Sequence, residues 1–151
     1  MIFVVRHAKA GSRSEWERPD DERPLSERGM IQAKTIAERL GAGGATGVVS
    51  SPYLRCVQTV QPLADLLGVP IEISDELAEG RSGDAALDLI RTAPDGTVLC
   101  SHGDVLQDLV WLLAASGAPV DPRIPFQKGA VLALDRTAAT ITGARYDAPP
   151  A

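Results

Sequence analysis

The sequence predicts an α/β fold: a three-layer α/β/α sandwich whose central sheet is mostly parallel, with an antiparallel strand at one edge. Three observations predict it. Short apolar runs alternate with helical periodicities over residues 1–115, the pattern of successive βαβ units. The runs at 2–5 and 97–101 carry no charge, as expected of strands covered on both faces. Two final strand-like runs, 130–134 and 140–144, are joined by only 135–139, which is too short for a crossover helix and reads as an antiparallel edge hairpin.

Composition narrows the class. A chain of 151 residues fits one domain, 1–151, able to bury roughly two thirds of its unfolded surface. Hydrophobic content of 44% with 23% charged residues is globular, and no apolar run approaches the roughly 20 residues of a membrane span. Met1 leads directly into a strand with no signal-peptide pattern, so a cytoplasmic protein is expected, as a monomer or weak homodimer. A formal net charge of -5 argues against a broad nucleic-acid surface. Cys56 and Cys100 are too few for a disulfide framework and lack metal-binding spacing, so both are expected reduced and buried.

In chain order, Ile2 to Val5 form a strand that runs into Arg6 and His7 without a turn residue. Residues 1–14 hold Arg6, Lys9 and Arg13 and no acid, a positive patch in an acidic chain. The connection from Lys9 to Pro24 is long enough to be a lid or binding loop. Ser26 then suits the N-cap of a helix with Ile31, Ala33, Ile36, Ala37 and Leu40 on one face, stopped by glycines from Gly41. Residues 47–50 read as a strand, with Ser51 and Pro52 as N-cap and first residue of the next helix, in which Pro62 is expected to kink or divide the chain. A third strand is expected at 69–73, a polar loop at 75–80, a helix from Ser82 or Gly83 to before Pro94, a strand at 97–101, and a helix from about Asp104 to Ala115. The tail at Pro149 and Pro150 reads as frayed.

The chemistry-bearing residues sit after strands. Arg6 and His7 follow the first, Arg55 lies in the helical turn after the second, and His102 follows the strand at 97–101; these are the only two histidines of the chain. In open α/β sheets ligands collect beyond the carboxyl ends of strands, and two arginines with two histidines there suit a phosphoryl group. A metal would face repulsion from Arg6 and Arg55, so no metal or cofactor is expected. Neither Cys56 nor Cys100 has an arginine six residues on, which excludes a cysteine phosphatase loop, and no Gly-x-x-x-x-Gly-Lys-Ser/Thr loop is present.

Arg6-His7-Ala8, the segment from Ser51-Pro52 through Arg55 to Gln58-Thr59, Ser101-His102-Gly103 and Pro24-Leu25-Ser26-Glu27-Arg28-Gly29 together resemble the histidine phosphatase superfamily, the phosphoglycerate-mutase-like fold, with Ala8 where the hallmark has glycine. The short chain is similar to the small SixA-type phosphohistidine phosphatases. The resemblance implies a phosphatase in which His7 is the nucleophile, while Arg6, Arg55 and His102 hold the phosphoryl oxygens. It implies a general acid at Glu79 in Leu77-Ala78-Glu79, with Glu76 the rival, and Gly103 in the substrate site. Lys9 and Arg13 are candidates to hold further phosphates. The implied partner is a phosphohistidine-bearing protein or a phosphorylated small molecule such as a nucleotide phosphate. A mutase and a non-catalytic phosphate-binding module are the alternatives.

Overall fold

The computed structural model describes all 151 residues. Six strands and four helices alternate as β1 (Ile2–Arg6), α1 (Glu27–Ala42), β2 (Gly47–Ser50), α2 (Leu54–Leu67), β3 (Ile71–Ile73), α3 (Asp84–Thr92), β4 (Thr97–Ser101), α4 (Gly103–Ala115), β5 (Val131–Thr137) and β6 (Thr140–Asp147). The strands form one sheet in the order β3-β2-β4-β1-β5-β6. The first four are parallel, and β5 pairs antiparallel with both β1 and β6. The predicted hairpin is present, but β5 is an inner strand; only β6 lies at the edge.

Alternation along each strand builds the three layers. Ile2, Val4, Leu99, Leu132 and Leu134 face α3 and α4, joining Ile90, Leu106 and Leu109 in a cluster of 16 buried residues. Phe3, Val5, Val98, Cys100 and Ala133 face the other way, joining Ile36, Leu40, Val60 and Leu63 of α1 and α2 in a cluster of 15. Successive side chains of a strand point to opposite faces, so uncharged strands supply both cores at once. Cys56 and Cys100 are buried free thiols.

Several sequence expectations shift in register. Ser26 caps α1 as expected, its hydroxyl accepting the Gly29 amide at 3.1 Å. Ile31 was expected on the buried stripe but is 61% exposed; Gln32 turns inward instead. Gln32 Oε1 accepts the Lys9 amide at 3.1 Å, and its Nε2 donates to the Pro150 carbonyl at 3.0 Å. The expected frayed tail is therefore docked, with Pro150 buried. The second helix starts at Leu54 rather than at Pro52, because the Ser51 amide still donates to the Cys100 carbonyl and prolongs the ladder. Pro62 lies inside α2, which continues through it to Leu67.

Gly29 shows how closely α1 approaches the strand that bears the site. A Cβ there would fall 1.9 Å from the Lys9 carbonyl oxygen. Gly29→Ala is expected to destabilise by about 3 kcal/mol, the upper range for overpacking against atoms that cannot move. Gly41→Ala, whose Cβ would meet only the end of the exposed Leu66 side chain, should be neutral or stabilise by up to about 1 kcal/mol. Urea midpoints for the two variants check this; equal midpoints would show that the α1–Lys9 contact yields readily.

Candidate active site

Because β4 lies between β1 and β2, the three strand ends named by the sequence become neighbours. The ladder carries past the strands: the His7 amide donates to the Ser101 carbonyl at 3.1 Å and the Ser51 amide to that of Cys100 at 3.0 Å. His7, Ser51 and His102 thus leave the sheet side by side. The His7 and His102 rings lie 5.5 Å apart between centroids.

His7 is held in one tautomer. Its Nδ1 lies 2.9 Å from the Ala8 carbonyl oxygen, which can only accept, so Nδ1 carries the hydrogen and Nε2 keeps its lone pair. Burial pushes the imidazole down to about 3; the Ala8 bond opposes this, and His102, Arg55 and Arg6 reinforce it. His7 is therefore a neutral base at physiological pH. The Ala8 amide donates to Thr59 Oγ1 at 2.9 Å, and Ala8 itself packs with Leu25 and Ala33. The alanine in place of glycine has its own small apolar pocket.

Arg55 has no solvent exposure. Its Nη1 donates to the Asp20 carbonyl at 2.9 Å, and its Nη2 donates to Asp20 Oδ2 at 3.0 Å and to Glu79 Oε1 at 3.2 Å. The guanidinium also stacks over Tyr53, 4.9 Å from the ring centroid. Arg6 donates from Nη1 to the Phe126 carbonyl at 2.8 Å. Gly103 explains how Arg6 fits: a Cβ there would come within 2.7 Å of the guanidinium carbon, so any larger residue would displace the Arg6 head group. His102 is 1% exposed, with Nε2 at 2.8 Å from Ser51 Oγ, which accepts the Tyr53 amide at 3.2 Å.

Three buried side-chain atoms in the molecule lack any hydrogen-bond partner: Arg6 Nε, Arg55 Nε and His102 Nδ1. Each belongs to a different strand end, and all three side chains had been singled out from sequence. Buried polar atoms are seldom left unpaired, because each costs about 1–3 kcal/mol. Such a group of orphans at one sheet edge marks a ligand site.

A cleft of about 700 Å³ opens at this edge, lined among others by Arg6, His7, Arg13, Glu79 and Gly103. Glu76 lies elsewhere, with Arg81 and Asp88 in a separate shallow depression. Arg13 is exposed and paired to Glu79 at 3.0 Å. Lys9 is a correction: its side chain is exposed and does not line the cleft, and its contribution is the carbonyl that accepts from the Ser26 amide and hydroxyl. Sequence reading missed Asp20, Arg23 and Lys128. Asp20 joins Arg23 at 3.1 Å and Arg13 at 3.6 Å besides Arg55, and these arginines hold its carboxyl below the usual range against the opposing effect of burial. Nothing in the run from Glu15 to Arg23 singled it out among five acids.

The family model described as the histidine phosphatase superfamily, branch 1, matches residues 2–86, more than half of the chain, and takes in Arg6-His7-Ala8, the segment from Pro24 to Gly29 and that from Ser51 to Thr59. The chain belongs to the histidine phosphatase superfamily. It is 32% identical over 157 residues to the 8-oxo-(d)GTP phosphatase of Mycolicibacterium smegmatis, a match covering 99% of this chain and 48% of that relative, so the chain spans about half its length. The fold is that of SixA proteins: one from Nakamurella multipartitia superposes with a TM-score of 0.72 at 25% identity, covering 99% of this chain and 96% of that one. The protein histidine phosphatase SixA complexed with tungstate gives a TM-score of 0.75 at 20% identity, covering 97% and 93%.

The buried neutral His7 has a pH signature. Between about pH 6.5 and 3 the unfolded chain protonates this imidazole and the folded chain does not, so stability falls as pH falls through that window. His7→Gln removes this contribution, which amounts to at most about 1.4 kcal/mol per pH unit. Urea unfolding at pH 6.5 and 4.5 should show wild type losing more stability on acidification than the variant. Identical losses would mean that the histidine is not held neutral.

Proposed function

We propose that this chain is a phosphatase that works without a metal through a phosphohistidine formed on His7, acting on a phosphohistidine-bearing protein or a small phosphorylated molecule. The observation that carries this reading is the set of three orphaned donors beside a neutral histidine. A phosphoryl group in transfer has three equatorial oxygens that need donors and one axis along which a nucleophile attacks. Arg6 Nε, Arg55 Nε and His102 Nδ1 supply the donors, and His7 Nε2 supplies the lone pair. Ser51 Oγ lies 2.8 Å from His102 Nε2, and in the catalytic tautomer its hydroxyl donates there, which puts the ring hydrogen on Nδ1.

In the first step the N–P bond forms at His7 Nε2 as the bond from phosphorus to the leaving oxygen breaks. Glu79 protonates that oxygen; its two arginine contacts both fall on Oε1, which leaves Oε2 for the leaving group. In the second step water attacks phosphorus, Glu79 takes its proton, and orthophosphate leaves with His7 restored. Preorganised cationic donors around the transferring group account for most of the acceleration. Arg55 and His102 are buried behind the cleft lining, and Asp20 occupies both Nη atoms of Arg55, so binding of a phosphoryl group to Arg55 requires Asp20 to give way. The mycobacterial relative's name supports a nucleotide substrate, and the likeness to SixA supports a phosphohistidine protein.

His7→Ala should abolish hydrolysis of p-nitrophenyl phosphate while the fold persists, and acid-quenched wild type should carry acid-labile, base-stable phosphate. Loss of activity with EDTA, or label on Ser, Cys or Asp, would overturn the mechanism. Arg55→Lys should remain about 100- to 1000-fold slower than wild type, because a point charge cannot replace a fork that holds Asp20, Glu79 and a phosphoryl oxygen together. Near wild-type turnover would remove Arg55 from the pocket.

Glu79→Gln separates its two possible uses. A phenol leaves readily, whereas an alkoxide needs a proton as the bond breaks, so the variant should slow an alkyl phosphate at least tenfold more than p-nitrophenyl phosphate. Equal slowing of both would make Glu79 a partner of Arg13 and Arg55 and nothing more.

A further inference from the structure

The cleft holds more positive charge than one phosphoryl group uses. Asp20 and Glu79 answer Arg13, Arg23 and Arg55, and Asp104 on the cleft wall acts on the charge of Arg6. Lys128 lines the same cleft and forms no ion pair with any acid in the molecule. Its position is not accidental, because the backbone on either side of it is fastened to the catalytic dipeptide. The Phe126 carbonyl accepts from Arg6 Nη1 at 2.8 Å, and the Gly129 amide donates to the Arg6 and His7 carbonyls at 3.1 and 3.0 Å. Phe126 takes a φ of 34°, a left-handed conformation rare for a bulky side chain, to direct its carbonyl there. The segment is strained and doubly bonded to the site, and it presents one free ammonium at the cleft wall.

Resting on the phosphohistidine reading above, we propose that Lys128 forms a second anion subsite, which takes the phosphate next to the one being transferred, and that the substrate class is a diphosphate such as a nucleoside diphosphate. In that reaction the N–P bond forms on His7 as the P–O bond to the neighbouring phosphate breaks. The electron pair goes to an oxygen of that second phosphate, which departs as a nucleoside monophosphate, and water then releases orthophosphate from His7. Lys128 meets the charge that develops on the departing group. Lys128 is exposed, but partial desolvation of its ammonium, and then repulsion from Arg6, Arg23, Arg13 and Arg55, lowers its affinity for its proton, a penalty that a second phosphate between these cations removes.

The test compares substrates of one and two phosphates in one enzyme. For wild type and Lys128→Gln, kcat/KM is measured with GDP and with p-nitrophenyl phosphate, and inhibition constants with pyrophosphate and orthophosphate. The ratio of kcat/KM for GDP over p-nitrophenyl phosphate should fall at least tenfold in the variant, and the preference for pyrophosphate over orthophosphate should fall similarly. Lys128→Arg should recover most of both. Equal slowing of the two substrates, or no change in either ratio, would overturn the subsite. Wild type that hydrolyses p-nitrophenyl phosphate but neither cleaves GDP nor prefers pyrophosphate would also overturn it, leaving the phosphohistidine mechanism intact. Inactivity toward both substrates would instead count against the mechanism on which it rests.

Discussion

A guanidinium with no solvent exposure, that of Arg55, is the constraint around which the upper edge of the sheet is arranged. A buried charge is tolerated only where it is paired and hydrogen-bonded, and each partner of Arg55 comes from a different part of the chain. Asp20 comes from the long connection after β1, Glu79 from the loop after β3, and the Tyr53 ring from the start of α2. Satisfying that one cation therefore fixes the positions of two loops that carry no regular structure of any length. The same contacts gather Arg13 and Arg23, because Asp20 is large enough in charge and reach to be shared by three arginines.

The site is also where the fold gives up stability. Three buried polar atoms without partners and a histidine held neutral at a pH where water would half-protonate it are costs of a few kcal/mol in total. The two cores on either side of the sheet offset them, and the strained φ of Phe126 is held by the backbone bonds around it. Local violation of packing and pairing rules in an otherwise consistent fold is the physical mark of a functional site.

The motif residues turn out to divide into two kinds of work that look alike in sequence. Arg6, His7, Arg55 and His102 are the residues proposed for the chemistry, while their neighbours secure them: Gln58 accepts the Leu25 amide at 2.8 Å, Thr59 accepts that of Ala8, Ser51 bonds to His102, and Gly103 leaves room for Arg6. Proximity in sequence says nothing of which atom a side chain will reach, so Ser51 reads as a helix cap until the backbone is seen, and Gly103, which does line the cleft, also makes room for Arg6. Lys9 shows the same limit from the other side. It is close to His7 in sequence, but the chain turns after Ala8, and the cleft lysine is Lys128, which arrives from 121 residues beyond His7 by way of the strand pairing β1 with β5.

The sequence by itself determined the alternation of strands and helices, the two-faced burial of the strands and the four side chains at the strand ends, because these depend on local periodicity and on residues adjacent to it. It determined equally that both cysteines would be buried thiols and that the chain would end in a hairpin. Only the tertiary structure decided that β4 lies between β1 and β2, which brings three separated segments to one edge, and that Asp20, Glu79 and Lys128 meet there while Glu76 and Lys9 do not. Strand order and loop course are set by which long-range pairings close together, and no local pattern in the chain records them.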